Sequence, residues 1–425
     1  MINDFTNPER KKWLEITKRP ELDLKKLKPL VKKIFKDVNE NGDKSLFKYT
    51  KEFDKTAIKS IKAKRKDLLN SENKVSEKLK LAIKSAKKNI EKFHEAQKVV
   101  FKKIQTEEGV ECWQEKKAIE KVGLYIPGGT APLFSTILML AIPAKIAGCK
   151  EIILCTPPDK NGNIPNEILF TAKLCGVSKI YCVGGAQAIA AMTFGTETIP
   201  KVYKIFGPGN QYVTMAKQYS LNFNVSIDMP AGPSELLVVG DSSSNASFIA
   251  SDLLSQAEHG IDSQVILVST SKDLINSVKK QVLTQVKLLS RKNIAEKSLK
   301  NAKFIYFESK KDASDFINEY APEHYIISIE NEDYFTSNIM NAGSVFIGKY
   351  SPESAGDYAS GTNHTLPTNG YSKQYSGVNV DSFTKTITFQ KISKSGLSNL
   401  SETIQLMAQA ENLEGHKKAV SIRFK

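Results

Sequence analysis

The sequence has no long hydrophobic run. Its longest candidate, residues 133–149, is broken by Ser135, Thr136, Pro143 and Lys145, and a membrane-crossing helix needs roughly 18–20 consecutive apolar residues. The opening Met1-Ile2-Asn3-Asp4-Phe5 carries no apolar signal-peptide core, so the expected location is the cytoplasm, with no membrane partner. Cysteine is scarce. Cys112, Cys149, Cys155, Cys175 and Cys182 include no C-x-x-C pair and no metal-ligand spacing, which argues for reduced thiols that fill the core. Lysine and arginine number 61 against 46 aspartates and glutamates, a net charge of +15. No nucleic-acid motif or aromatic-basic platform accompanies that excess, and the lysines alternate with Leu, Ile and Ala at helical spacing. They read as solvated helix faces and not as a nucleic-acid surface. The rest of the composition is ordinary: 425 residues, 40% hydrophobic and 25% charged, enough for two to three domains with cores of their own.

From Asn7 to about Lys103 apolar residues recur at intervals of three and four, as in Leu27, Leu30, Val31, Ile34 and Phe35, the stripe of amphipathic helices. Between Gly123 and Val239 the pattern changes to short apolar runs alternating with helical segments, the signature of a parallel sheet with helices on its faces. The unit then restarts. Leu236 to Gly240, a helix around Ser247 to His259 and a strand at Val265 to Val268 echo Leu124 to Ile126, a helix around Ser135 to Ala147 and a strand at Ile152 to Cys155, which implies two related α/β domains. Beyond Thr368-Asn369-Gly370 a polar stretch leads to helical periodicity at Ser401 to Lys418, a tail that forms a small unit or docks elsewhere.

Histidine carries most of the chemical information. Of five, only His94 reads as plain helix surface. His259 lies in Ser255-Gln-Ala-Glu-His-Gly, His324 in Ala321-Pro-Glu-His, His364 in Asp357-Tyr-Ala-Ser-Gly-Thr-Asn-His and His416 in Glu411-Asn-Leu-Glu-Gly-His. Gln256 and His259, three apart on an expected helix, project from one face and can reach one ion. Asp357 and His416 are able to complete a set of nitrogen and oxygen donors suited to zinc, although Asp357 equally suits a turn cap and spacing alone does not choose these four. Glu323 and His324 are neighbours whose side chains diverge on most backbones, so two separate roles fit: a histidine that takes and returns a proton, and a desolvated glutamate that deprotonates water. Three glycine loops, at Pro127-Gly-Gly-Thr, Gly184-Gly-Ala-Gln and Gly207-Pro-Gly-Asn, each follow an expected strand, where an open α/β sheet binds ligands or the chain turns tightly. None is G-x-G-x-x-G with an acid about 20 residues on.

Together these segments, with Gly123-Leu-Tyr-Ile-Pro-Gly-Gly, Asp228-Met-Pro-Ala-Gly-Pro-Ser-Glu and Pro352-Glu-Ser-Ala-Gly-Asp-Tyr-Ala-Ser-Gly-Thr-Asn-His, resemble the histidinol dehydrogenase family over at least Gly123 to His416. The resemblance implies a homodimer that oxidises L-histidinol to L-histidine through a bound aldehyde, with two NAD, one water and one zinc per site. It implies zinc ligands Gln256, His259, Asp357 and His416, and catalytic Glu323 and His324. Substrate contacts would come from Ser234, His364 and Glu411 besides the ligands and His324, and NAD contacts from Tyr125, Gln187 and Asn210. The implied fold is α/β, with two related domains on incomplete Rossmann-like parallel sheets. Its expected parts are a helical segment at 1–21, an α/β domain from 22–124 with 234–378 that carries zinc and catalytic residues, an NAD-side α/β domain at 125–233, and a tail at 379–425 reaching the partner subunit. Two other readings compete: a zinc hydrolase of a small amino compound, turning over without nicotinamide, and a binding protein for an anion, with salt-sensitive affinity.

Overall fold

The structure, a computed structural model, describes residues 2–20, 24–128, 132–230 and 232–425. The boundary expected between 21 and 22, Gly129 and Thr130 of the first glycine loop, and Ala231 lie outside them. Along the chain the strands are β1 (Asn3–Thr6), β2 (Ile104–Glu107), β3 (Val110–Ala118), β4 (Lys121–Tyr125), β5 (Glu151–Thr156), β6 (Lys179–Cys182) and β7 (Lys204–Phe206). There follow β8 (Ser226–Ile227), β9 (Glu235–Gly240), β10 (Gln264–Ser269), β11 (Lys303–Tyr306), β12 (His324–Ser328), β13 (Ser344–Ile347) and β14 (Thr384–Ile392).

Two parallel sheets organise the molecule, in the orders β6-β5-β4-β7-β8 and β1-β11-β10-β9-β12-β13. Numbered from its own first strand, each runs 3-2-1-4-5, one strand short of a full doubly wound sheet, and the second gains β1 at its edge. The echo expected from the sequence is therefore an echo of topology. Aliphatic runs such as Leu236-Leu-Val-Val and Val265-Ile-Leu-Val are buried throughout, as strands covered by helices on both faces must be.

The amphipathic helices Leu24–Asn41, Asp43–Phe53 and Glu77–Glu95 turn Val31, Phe35, Leu46, Ile83 and Ile90 into one core with Leu124, Ile153 and Phe206 of the five-stranded sheet. Lys28, Lys32, Lys33 and Lys36 point outward. The sequence reading joined 22–124 to 234–378; the packing places 24–95 against the other sheet. An apolar stripe marks a helix as amphipathic without saying which sheet will cover it. The front end, expected to be helical, opens with a strand: β1 pairs in parallel with β11, Asn3 opposite Lys303, across a sequence separation no local pattern reports. Another strand the sequence did not suggest is β14, which pairs antiparallel with β3 from Thr384↔Ala118 to Ile392↔Val110. Helices Lys394–Ala410 and Glu414–Ser421 complete the tail. Among the described residues no helix is long and apolar enough to cross a membrane.

Candidate active site

A cavity of about 360 Å³ opens between the two parallel sheets. One wall comes from loops at the carboxyl ends of the five-stranded sheet, Pro127 after β4 and Gly207 to Gln211 after β7; the facing wall comes from the amino ends of the other sheet, with Ser234 before β9, Ser263 before β10, and Glu323 and His324 at the start of β12. Gly207 has φ +124, and a Cβ there would lie 2.1 Å from the Tyr125 carbonyl oxygen, so the chain passes β4 at a distance only glycine permits. A buried ion pair holds this loop. Lys217 Nζ sits 2.5 Å from Asp228 Oδ1 and donates to the Gly207 carbonyl at 2.8 Å, while Asp228 Oδ2 accepts the Gly207 N–H at 2.8 Å.

Glu235 fixes the catalytic candidates through its backbone. Its N–H donates to Glu323 Oε2 at 2.8 Å, and its carbonyl accepts from His324 Nδ1 at 3.1 Å. Its side chain receives Arg19 in a two-pronged bond, both arms 3.0 Å, and its Oε1 also accepts the Asn369 N–H. With Nδ1–H given to a carbonyl, His324 presents Nε2 as its basic atom. That atom lies 3.5 Å from Asp357 Oδ1, too long to satisfy either group. Glu323 Oε2 and Glu353 Oε1 stand 3.6 and 3.8 Å from Nδ1. Strand alternation would send residues 323 and 324 to opposite faces; Glu323 instead precedes the strand, after Ala321 at φ +54, and both side chains enter one cavity.

Three buried acids around one imidazole cannot all be charged. Burial raises Glu323 to about 8 against the opposing pull of His324 and the Glu235 N–H, and it raises Glu353 well above the carboxylate range. For His324 burial works downward, but the charges of Glu353, Glu323 and Asp357 outweigh it and lift the imidazole well above its ordinary value. Asp357 is held below its ordinary value although burial acts upward, because His324, His364 and His259 stand near it. Gln256 Oε1 and Nε2, His324 Nε2, Asp357 Oδ1 and both Glu353 oxygens are buried without a hydrogen-bond partner. Such atoms cost free energy unless a ligand or cation takes them.

A family model described as histidinol dehydrogenase matches residues 17–424. The chain is 57% identical to the histidinol dehydrogenase of Bacteroides fragilis over 98% of this chain and 97% of that one. It is 48% identical to that of Campylobacter jejuni over 99% and 98%. A crystal structure of histidinol dehydrogenase from Elizabethkingia anophelis superposes with TM-score 0.97 at 53% identity, covering 100% of this chain and 98% of that one. The chain belongs to the histidinol dehydrogenase family. Its activity is that of an NAD-dependent dehydrogenase of histidine biosynthesis.

Ser234, Gln256, His259, Asp357, His364, Glu323, His324 and Asn210 line the same cavity. Gln256 is buried near the end of the helix Ala246–Ala257, whereas His259 lies past that end, exposed, with Nδ1 on the Ser255 carbonyl at 3.0 Å. His364 bridges from the Asp357 carbonyl, 2.8 Å from Nδ1, to Thr136 Oγ1, 3.2 Å from Nε2. Asn210 caps the helix Gln211–Ser220, its Oδ1 accepting from Tyr212 and Val213. Tyr125 and Gln187 are buried behind the glycine loops, outside the cavity lining; the Tyr125 hydroxyl accepts the Gly185 N–H at 3.1 Å. Glu411 and His416 do not join the others. Both are exposed on the tail.

His94 corrects an expectation. It is buried, with Nδ1 at the Ile90 carbonyl and Nε2 3.4 Å from Asn363. Asn89 also donates to the Ala359 carbonyl, so the helix Glu77–Glu95 props the end of the short helix that carries Asp357 and the loop that carries His364. Glu353, Lys217 and Thr136 were not foreseen. Glu353 and Asp357 are four apart on the helix Glu353–Tyr358, a spacing that puts two acids on one face and was the available signal.

Proposed function

We propose that the cavity oxidises L-histidinol to L-histidine through a bound aldehyde, with two NAD and one water. The observation that carries this reading is the convergence of unpartnered buried donors and acceptors, Gln256, His324, Glu353 and Asp357, in one cavity beside the Gly207 loop of the five-stranded sheet. Gln256, His259 and Asp357 offer an amide oxygen, an imidazole and a carboxylate, a donor set that suits zinc. When bound, zinc would grip and orient the amino alcohol, and NAD would receive the two hydrides. His324 and Glu353 also stand within 4.8 Å of Asp357; we keep His324 out of the ligand set because its free Nε2 is the atom placed to take the substrate proton.

His324 Nε2 removes the hydroxyl proton as the carbinol C–H leaves as hydride, then returns that proton to solvent. Glu323, raised by burial to about 8, takes a proton from the water that adds to the aldehyde carbon. His324 acts again on the hydrate as the second hydride leaves. Each general-base step contributes roughly 10²–10⁴ in rate. His364 and Ser234 would orient the substrate. His416 and Glu411 would reach a second copy's cavity, which makes the functional unit a homodimer. Exposed apolar residues on the tail support this: Leu406 at 61%, Met407 at 60% and Ile422 at 65%, more than a solvated helix pair ordinarily shows.

Purified protein, histidinol and NAD are mixed and reduced cofactor is counted per histidinol consumed. Two is expected. One would point to an alcohol oxidation that stops at the aldehyde, and products without reduced cofactor to hydrolysis.

A further inference from the structure

The five-stranded sheet carries a carboxylate that the chemistry above does not use. Asp54 ends the helix Asp43–Phe53, its N–H on the Thr50 carbonyl at 3.0 Å. Its Oδ2 is buried without a partner. Among the described residues no cation pairs with it, and burial alone lifts the group to about 6. From there the chain runs to Ile61–Ala63, which lies along β6, the Cys182 N–H donating to the Ile61 carbonyl and the Ala63 N–H to the Ile180 carbonyl. This brings Asp54 to the carboxyl end of the sheet: a Cβ added at Gly162, in the loop after β5, would meet the Ala57 carbonyl at 3.0 Å and Thr56 at 3.4 Å, and the Asp54 charge adds to the burial that raises the Tyr125 hydroxyl and the Cys182 thiol.

A second feature at the same place also waits for a ligand. Gln187 is 1% exposed, and neither atom of its amide has a partner. Its Oε1 lies beneath Gly185, where an added Cβ would come within 2.7 Å. The Tyr125 hydroxyl accepts the Gly185 N–H, so this amide, this turn and the Asp54 carboxyl occupy one corner over β5 and β6. The histidinol cavity is walled by the Gly207 loop on the other side of β4. In a doubly wound sheet a dinucleotide lies across the strand ends at the switch point, and an acid near the end of the second strand takes the adenosine ribose. Here that strand, β5, ends at Thr156 and is followed by two prolines. The next acid, Asp159, spends its Oδ1 on the N–H groups of Asn161 and Asn163, at 2.8 and 2.9 Å, to shape its own turn.

We propose that Asp54 is the carboxylate that accepts the adenosine ribose hydroxyls of NAD, and that its charge excludes the 2′-phosphate of NADP. The acid comes from the helical front end because β5 has none to spare, and Gln187 offers its amide to the same half of the dinucleotide. The assignment rests on the reading that places the nicotinamide end in the histidinol cavity.

The test is binding, read by NADH and NADPH fluorescence titration of the whole protein without histidinol. Asp54→Asn, nearly isosteric, is expected to weaken NADH by about 10- to 100-fold, the value of one or two hydrogen bonds to a charged acceptor, and to narrow the wild-type preference over NADPH. Asp159→Asn should leave both affinities within about twofold. The unaltered protein supplies an arm that does not depend on a variant folding: reduced cofactor lacking the adenosine 2′-hydroxyl should bind about tenfold more weakly than NADH. Equal affinity of Asp54→Asn and wild type for NADH, with NADPH still rejected, overturns the assignment, as does transfer of the effect to Asp159→Asn. Failure of the wild-type protein to bind NADH would instead overturn the cofactor placement beneath it.

Discussion

His324 owes its basicity to its neighbours. Burial lowers an imidazole's affinity for a proton, yet the three acids around this one reverse the sign; a cation held by Asp357 would offset them and leave Nε2 free to act as a base. Replacing it with asparagine keeps the hydrogen bond to the Glu235 carbonyl and removes the base. His324→Asn should lose histidinol oxidation by at least ~10³ in kcat, read as NADH release in a single turnover. Glu323→Gln should still form aldehyde from histidinol but oxidise added aldehyde slowly. Equal losses in both half-reactions for both variants would refute the split of roles. Glu323 is also the group whose ionised form is needed and whose value lies near 8, so the aldehyde half-reaction should speed up as pH rises through that value. In Glu323→Gln this acid-side limb should vanish from the pH–rate profile. Much at this scale was legible. A Pro-Glu-His turn near several glycine-rich segments marks a base pair of residues from sequence, and Gln256 and His259 mark a donor pair. Glu353 had only its spacing from Asp357 to mark it and Asp54 had nothing, since one carboxylate among 46 acidic residues announces itself only when the fold buries it without a partner.

Among elements, the least visible support of the site is the segment before the first long helix. Arg19 comes from it, packs over the Tyr320 ring at 3.8 Å and neutralises Glu235, whose side chain is 1% exposed. Glu235 in turn positions Glu323 and His324 through its backbone. Arg19→Met strands a buried carboxylate, and the expected loss is about 3–5 kcal/mol of stability, measured by urea unfolding. A loss under about 1 kcal/mol would mean that Glu235 finds water or another donor. Periodicity identified the strands β4 to β7, β9 and β10 and the amphipathic helices, because burial on one or both faces writes itself into the apolar pattern. It did not identify β1 and β14. Four residues, Asn3–Thr6, are too few to show a period, and β1 is a strand because β11 offers it an edge. In β14 the run Thr386-Ile387-Thr388-Phe389-Gln390 does alternate, but Thr, Lys and Gln outnumber Ile387, Phe389 and Ile392 and the strand is mostly exposed on both faces, so the signal is weak.

For the whole molecule, a single chain leaves Glu411 and His416 exposed on the tail, away from the cavity that holds the other proposed metal, substrate and catalytic residues. The exposed apolar tail is the natural surface for a second copy. If the sites are shared, inactive His416→Ala and Glu323→Gln proteins mixed and allowed to exchange subunits should regain part of the activity, because one cavity in each mixed dimer then has every residue intact. No recovery after proven exchange would confine each site to one chain.

The most direct measurement is anomalous diffraction at the zinc edge from crystals of the protein with histidinol. The account predicts one peak per cavity, bonded to Gln256, His259 and Asp357 of one chain and to His416 of another. A peak bonded to His324, Glu353 and Asp357 instead would remove the base from the proposed chemistry and contradict it.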